Sequence, residues 1–145
     1  MATTNSVFAL SRIILIGLLV GFLLNLTGWL GNNFLLGSMW DGVTVADYSA
    51  SWRSTIWREA FSLLPDFLYG MALVWLCARL RPVYSSMAAA TLRAGLFVSL
   101  VGGITTYFAI ANSGFILWPL AFASFGLVLA TKLPLAYFAG RLLER

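Results

Sequence analysis

Residues 13–31 read IILIGLLVGFLLNLTGWLG, nineteen positions without a charge. As a helix rising about 1.5 Å per residue, this run nearly matches the roughly 30 Å hydrocarbon layer of a bilayer. Three more apolar runs follow, at about residues 63–80, 88–111 and 115–133. The chain of 145 residues is 61% hydrophobic and 10% charged, against roughly 25% charged in soluble domains. A unit of this size has too much surface to hide that apolar fraction from water, so a soluble enzyme and a disordered chain are both excluded. A cleaved signal peptide fits the first run poorly. Its core is too long, only Arg12 precedes it, and no small-residue cleavage site follows. The expectation is all-α: a four-helix transmembrane bundle forming one integral membrane domain over residues 1–145, with an interfacial amphipathic helix between the first and second spans.

Nine basic and five acidic residues give a net charge of +4. The basic residues sit at the ends of the apolar runs, which points to membrane orientation and lipid headgroups rather than nucleic acid. With a cytoplasmic N-terminus, Arg12, Arg79, Arg81, Arg93, Arg141 and Arg145 lie inside, and Arg53 and Arg58 outside. This bias predicts a multi-pass protein of a bacterial inner membrane with both termini cytoplasmic. Lys132 falls at the expected end of the fourth run, just before Pro134, where it would snorkel to the inner interface. Arg81 closes the second span. Arg93 in the third either anchors to phosphate or pairs with Glu144. Arg81, Arg93 and Lys132 are thus expected interfacial anchors.

Between the first two spans, Val45, Tyr48, Trp52 and Ile56 recur at helical spacing. They predict a surface-lying helix over about residues 44–58, with Tyr48 and Trp52 as interfacial anchors. The alternative is a lid over a cavity lined by Asn25, Asn32 and Asp66. Pro65 and Asp66 open the second span, where Pro is tolerated and an acid meets the helix dipole. Asp66 is therefore read as shallow, either a helix-terminal residue near Arg58 or an ion or proton site.

Gly17, Gly21, Asn25, Gly28 and Asn32 share one face of the first span. Small residues let another helix approach, and an amide about 18 Å into the span needs protein partners. The third span carries Gly95, Ser99, Gly102 and Thr106. The two stripes are expected to pack together, with Ser99 or Thr106 as partners for Asn25. They serve as interhelical glue, or alternatively line a ligand site. The chain has no histidine and a single cysteine, Cys77. No nucleophile has an adjacent base, and no zinc spacing or phosphate-cradling loop is present. No catalytic residue, metal or cofactor is expected.

Gly17, Gly21 and Asn25, then Gly37 and Trp40, Gly70, Trp75 and Arg81-Pro82, and finally Arg93 and Gly95 resemble a group of small bacterial four-span membrane proteins with no assigned activity. The likeness covers most of the chain and implies a four-helix inner-membrane protein. A local segment, Gly102-Gly103-Ile104-Thr105-Thr106-Tyr107-Phe108, is similar to the third-helix motif of small dimeric fluoride channels. The Ser-Thr expected after the aromatic is Phe108-Ala109 here, and the second-span asparagine motif is absent, so no role is taken from it. The function expected is a non-enzymatic membrane module, an accessory or structural subunit packing against other membrane helices. The alternative is a small oligomeric ion or solute channel or transporter. Expected partners are membrane lipid and other membrane subunits or further copies of the chain, with no nucleic acid.

Overall fold

A computed structural model describes residues 10–41, 43 and 55–145, the side chains of 55–62 excepted. Tyr48 and Trp52, and the greater part of the expected surface helix, lie outside the described residues. Helix α1 (Leu10–Leu30) runs through a π-helical turn (Gly31–Leu35) into the short α2 (Gly37–Trp40). Helix α3 spans Thr55–Leu80. Helix α4 (Met87–Gly103) continues through a second π-helical turn (Ile104–Phe108) into α5 (Ala109–Asn112), and α6 spans Trp118–Glu144. Four segments are long and apolar enough to cross a membrane: Leu10–Leu35, Leu63–Leu80, Met87–Asn112 and Trp118–Glu144. Large apolar side chains such as Leu15, Phe22, Phe97 and Phe122 stand exposed on them, as lipid contact requires.

Two expected boundaries move. Helix α3 begins at Thr55, so residues 55–58 belong to its shaft and Pro65 lies inside the helix. Helix α6 passes through Pro134 to Glu144. Apolar surroundings penalise exposed backbone so heavily that a helix absorbs the one bond a proline removes rather than ending there.

The helices pack in pairs. Helix α1 lies along α3 and α4 along α6, and contacts of α1 with α6 and of α3 with α4 close the ring. Small residues make the pairs tight. A Cβ on Gly17 would fall 2.7 Å from the Met71 Cα, and one on Gly21 2.5 Å from the Phe67 Cα. A Cβ on Gly70 would overlap the Gly17 carbonyl oxygen. In the second pair, a Cβ on Gly95 would meet the Ala136 Cβ at 2.8 Å. Val20, Leu73, Val74, Cys77, Ala94 and Ala136 are fully shut off between the pairs.

This arrangement corrects the expected meeting of the two stripes. Helices α1 and α4 occupy opposite corners of the ring, so Gly17 and Gly21 face α3 while Gly95 faces α6. Each stripe recorded a helix face, and the face did not specify its neighbour. Ser99 is wholly buried, and its hydroxyl meets no hydrogen-bond partner; it does not bond Asn25.

Where α1 begins beside the end of α6, the Arg12 Nη2 donates to the Leu142 carbonyl at 2.7 Å. Arg81 donates to the Tyr84 carbonyl at 3.1 Å. The Arg93 guanidinium lies 4.1 Å from the Tyr84 ring centroid. Glu144 pairs with Arg141 at 3.7 Å, one helical turn away on α6, so the expected Arg93–Glu144 pair does not form. At the other end Gly114, at φ +78°, turns the chain out of α5, a conformation that costs glycine nothing.

Gly70→Ala is expected to lower the thermal stability of the detergent-solubilised protein by about 1–3 kcal/mol, the usual cost of overpacking. Gly28→Ala meets nothing within 4 Å and should be neutral or slightly stabilising. Paired thermal melts check both.

Candidate functional site: a charged chamber halfway along the bundle

The α1–α3 contact sets the depth of every side chain on α3. The helices run antiparallel, with Gly17 opposite Met71, Gly21 opposite Phe67, and Asn25 bonded to the Leu63 carbonyl. Asp66 therefore stands level with Phe22, near the midpoint of the Leu10–Leu35 span. It is about 16 Å from the start of α3 and about 21 Å from its end. Asp66 is only about 5 Å inside the apolar segment that begins at Leu63, but the register against α1 sets it level with the middle of the first span, deeper in the bundle than its own helix suggests.

Lys132 is corrected as well. With α6 continuing to Glu144, Lys132 lies about 21 Å from Trp118 and about 18 Å from Glu144. It is not an interfacial anchor. Its ammonium rests 3.4 Å from the centroid of the Tyr69 ring on α3, a geometry in which the ring quadrupole attracts a cation.

Tyr69 is held from two sides. Its hydroxyl donates to the Val98 carbonyl. It can reach that far because position 102 is glycine: a Cβ there would overlap the phenol. Gly102 thus acts by making room for Tyr69, and not by approaching α1.

Around these groups lies a partly open chamber of about 460 Å³. Asn25, Gly28, Trp29, Asn32 and Asn33 of α1 and its π turn form one wall. Leu63, Pro65, Asp66 and Tyr69 of α3 form a second. Gly102, Gly103, Thr106 and Tyr107 close the α4 side, and Leu127, Val128, Thr131 and Lys132 the α6 side. Most of the lining belongs to the half of the bundle nearer the α4–α6 turn, with Tyr69 and Lys132 at its middle. The other half is the sealed apolar layer around Leu73, Val74 and Cys77.

Several polar groups in the wall are already committed. The Asn25 side-chain nitrogen donates to the Gly21 carbonyl at 3.1 Å and the Leu63 carbonyl at 3.2 Å, and among the described residues its oxygen remains available as an acceptor. Asn32 donates to Gly28 at 2.9 Å and accepts from the Trp40 indole at 3.1 Å. It ties α2 back against α1. Thr131 bonds back to the Leu127 carbonyl at 2.9 Å. The one ion pair among the described residues is Arg141–Glu144. Asp66 and Lys132 thus share the chamber without forming a pair with each other.

Both π-helical turns border this chamber, contributing Asn32 and Asn33 from one and Thr106 and Tyr107 from the other. Such turns recur at functional sites. Phe108 packs edge-on against Trp118 at 5.8 Å, Phe122 at 5.1 Å and Phe125 at 5.5 Å, fixing the second turn to α6.

Of the candidates read from sequence, Asn25, Gly28, Asn32, Asp66, Gly102 and Thr106 converge on the chamber. Gly17, Gly21 and Ser99 lie in the packed half. Tyr69 was missed, although it stands three residues from Asp66 and so shares its face. No protein-family profile, characterised protein or solved structure matches this chain.

Tyr69→Phe removes the bond to Val98 but keeps the ring under Lys132, and should cost about 0.6–1.5 kcal/mol of stability. Tyr69→Leu removes both contacts and should cost more. Thermal melts of the two variants check the order.

Proposed function

We propose that the protein is a non-enzymatic, multi-pass protein of a bacterial inner membrane that binds a small polar solute in this chamber, as a component of solute transport. The observation that carries the reading is the presence of Lys132 and Asp66 halfway along two apolar helices, facing one cavity. Charges at that depth cost a few kcal/mol each and mark substrate or ion pathways when they face an aqueous cavity. A module that only packed against other helices would have no use for them. The volume is within the range of small-molecule sites.

Among the described residues, the layer around Val20, Val74 and Ala94 is fully buried and closes the chamber on its inner side. Passage then requires either a change of conformation or another chain. This favours a subunit that works with other membrane helices, or with further copies of itself, over a lone open pore. The absence of histidine and of a nucleophile beside a base supports a binding role rather than catalysis.

The basic bias supports cytoplasmic termini, with the chamber facing the opposite side. Ser85 and Ser113 are exposed in the turns at opposite ends of the bundle. In intact cells, an impermeant thiol reagent is expected to label Ser113→Cys and to reach Ser85→Cys only after permeabilisation. The reverse pattern would invert the topology. For solute binding, small amino acids, carboxylates and amines are titrated into purified protein while the tryptophan fluorescence, to which the chamber residue Trp29 contributes, is followed. Failure of all of them to perturb folded protein would refute the reading.

A further inference from the structure

We infer that the chamber's ligand is amphoteric: a small solute carrying both a carboxylate, or similar anion, and an ammonium group. This rests on the solute-binding reading above and specifies its ligand class.

The described lining holds one cation, Lys132, and one anion, Asp66, from different helices; they attract each other across the chamber but make no direct ion pair, which leaves room for a ligand between them. A carboxylate and an ammonium inside an apolar bundle each need a partner, because leaving either alone in a low dielectric is costly. Lys132 has the Tyr69 ring on one side, which leaves its N–H donors for whatever fills the chamber. The Tyr69 hydroxyl is taken by Val98 and the Asn25 amide nitrogen by two carbonyls. Neither is left to compensate a second charge.

A simple anion would meet Lys132 but be repelled by Asp66, and would bring a net charge into the bundle. A simple cation has the converse difficulty. A zwitterion meets both groups and adds no net charge to the chamber, so the solvation cost of bringing a net charge into the bundle is avoided. The asymmetry also orders the ligand. Its anionic end sits at Lys132 and the Tyr69 ring, and its ammonium end toward Asp66 and the free Asn25 oxygen.

The test uses the full chain in lipid nanodiscs and the ω-amino acids from glycine to 6-aminohexanoate as probes. Butyrate and butylammonium serve as half-ligands. Binding is read by equilibrium dialysis and by intrinsic tryptophan fluorescence. At least one ω-amino acid is expected to bind about tenfold or more tighter than either half-ligand. Asp66→Asn should remove its advantage over butyrate, and Lys132→Met its advantage over butylammonium. Asp66→Glu and Lys132→Arg, which keep the charges, should retain part of the preference and control for misfolding. If a half-ligand binds as tightly as every ω-amino acid, the amphoteric assignment is overturned while solute binding stands. If no probe binds to protein with a normal thermal melt, both fail.

Discussion

A lysine ammonium and an aspartate carboxylate in the middle of apolar helices must keep company with water, with a partner, or with each other. That requirement explains why the bundle is not uniform along its length. Where Lys132 and Asp66 stand, the helices part around a chamber. Beyond them the structure closes completely around Leu73, Val74, Cys77 and Ala136. The Tyr69 ring, anchored to Val98 and admitted by Gly102, stands at the boundary between the two halves.

The closed half depends on backbone proximity. Without a hydrophobic drive between helices in lipid, association relies on close packing, and Gly17, Gly21 and Gly70 bring two backbones into contact. On the opposite pair Gly95 and Gly140 make room for side chains instead, those of Ala136 and Thr91. In the open half, larger and polar residues continue the same faces: Asn25, Asn32 and Asp66 lie one to four turns beyond the glycines. Helical irregularities collect there as well, with Pro65 in α3 and a π-helical turn in both α1 and α4.

The fold class was legible because apolar run length and helical period report directly on what a bilayer requires. The face of α1 that carries Gly17, Gly21, Asn25, Gly28 and Asn32 was legible for the same reason. What that face meets was not, because spacing names a surface and not the helix opposite it. The α1 and α4 stripes therefore seemed natural partners although they lie at opposite corners. Lys132 was misplaced by a local rule. Pro134 reads as a helix end, but in apolar surroundings the helix continues, and the lysine moves from the rim to the centre. Asp66 was read from its own helix, where it opens the apolar run, whereas its level in the bundle follows from the register of α3 against α1.

The central claim is that an aqueous chamber reaches the middle of the bundle, and collision accessibility of a spin label measures this most directly. Thr131 lines the chamber, and Phe97 stands at nearly the same depth on the exposed face of α4. In bilayers, a label on Thr131→Cys should collide with a water-soluble nickel chelate, and a label on Phe97→Cys with oxygen alone. A Thr131 label that sees oxygen but not nickel, as the Phe97 label does, would contradict the account.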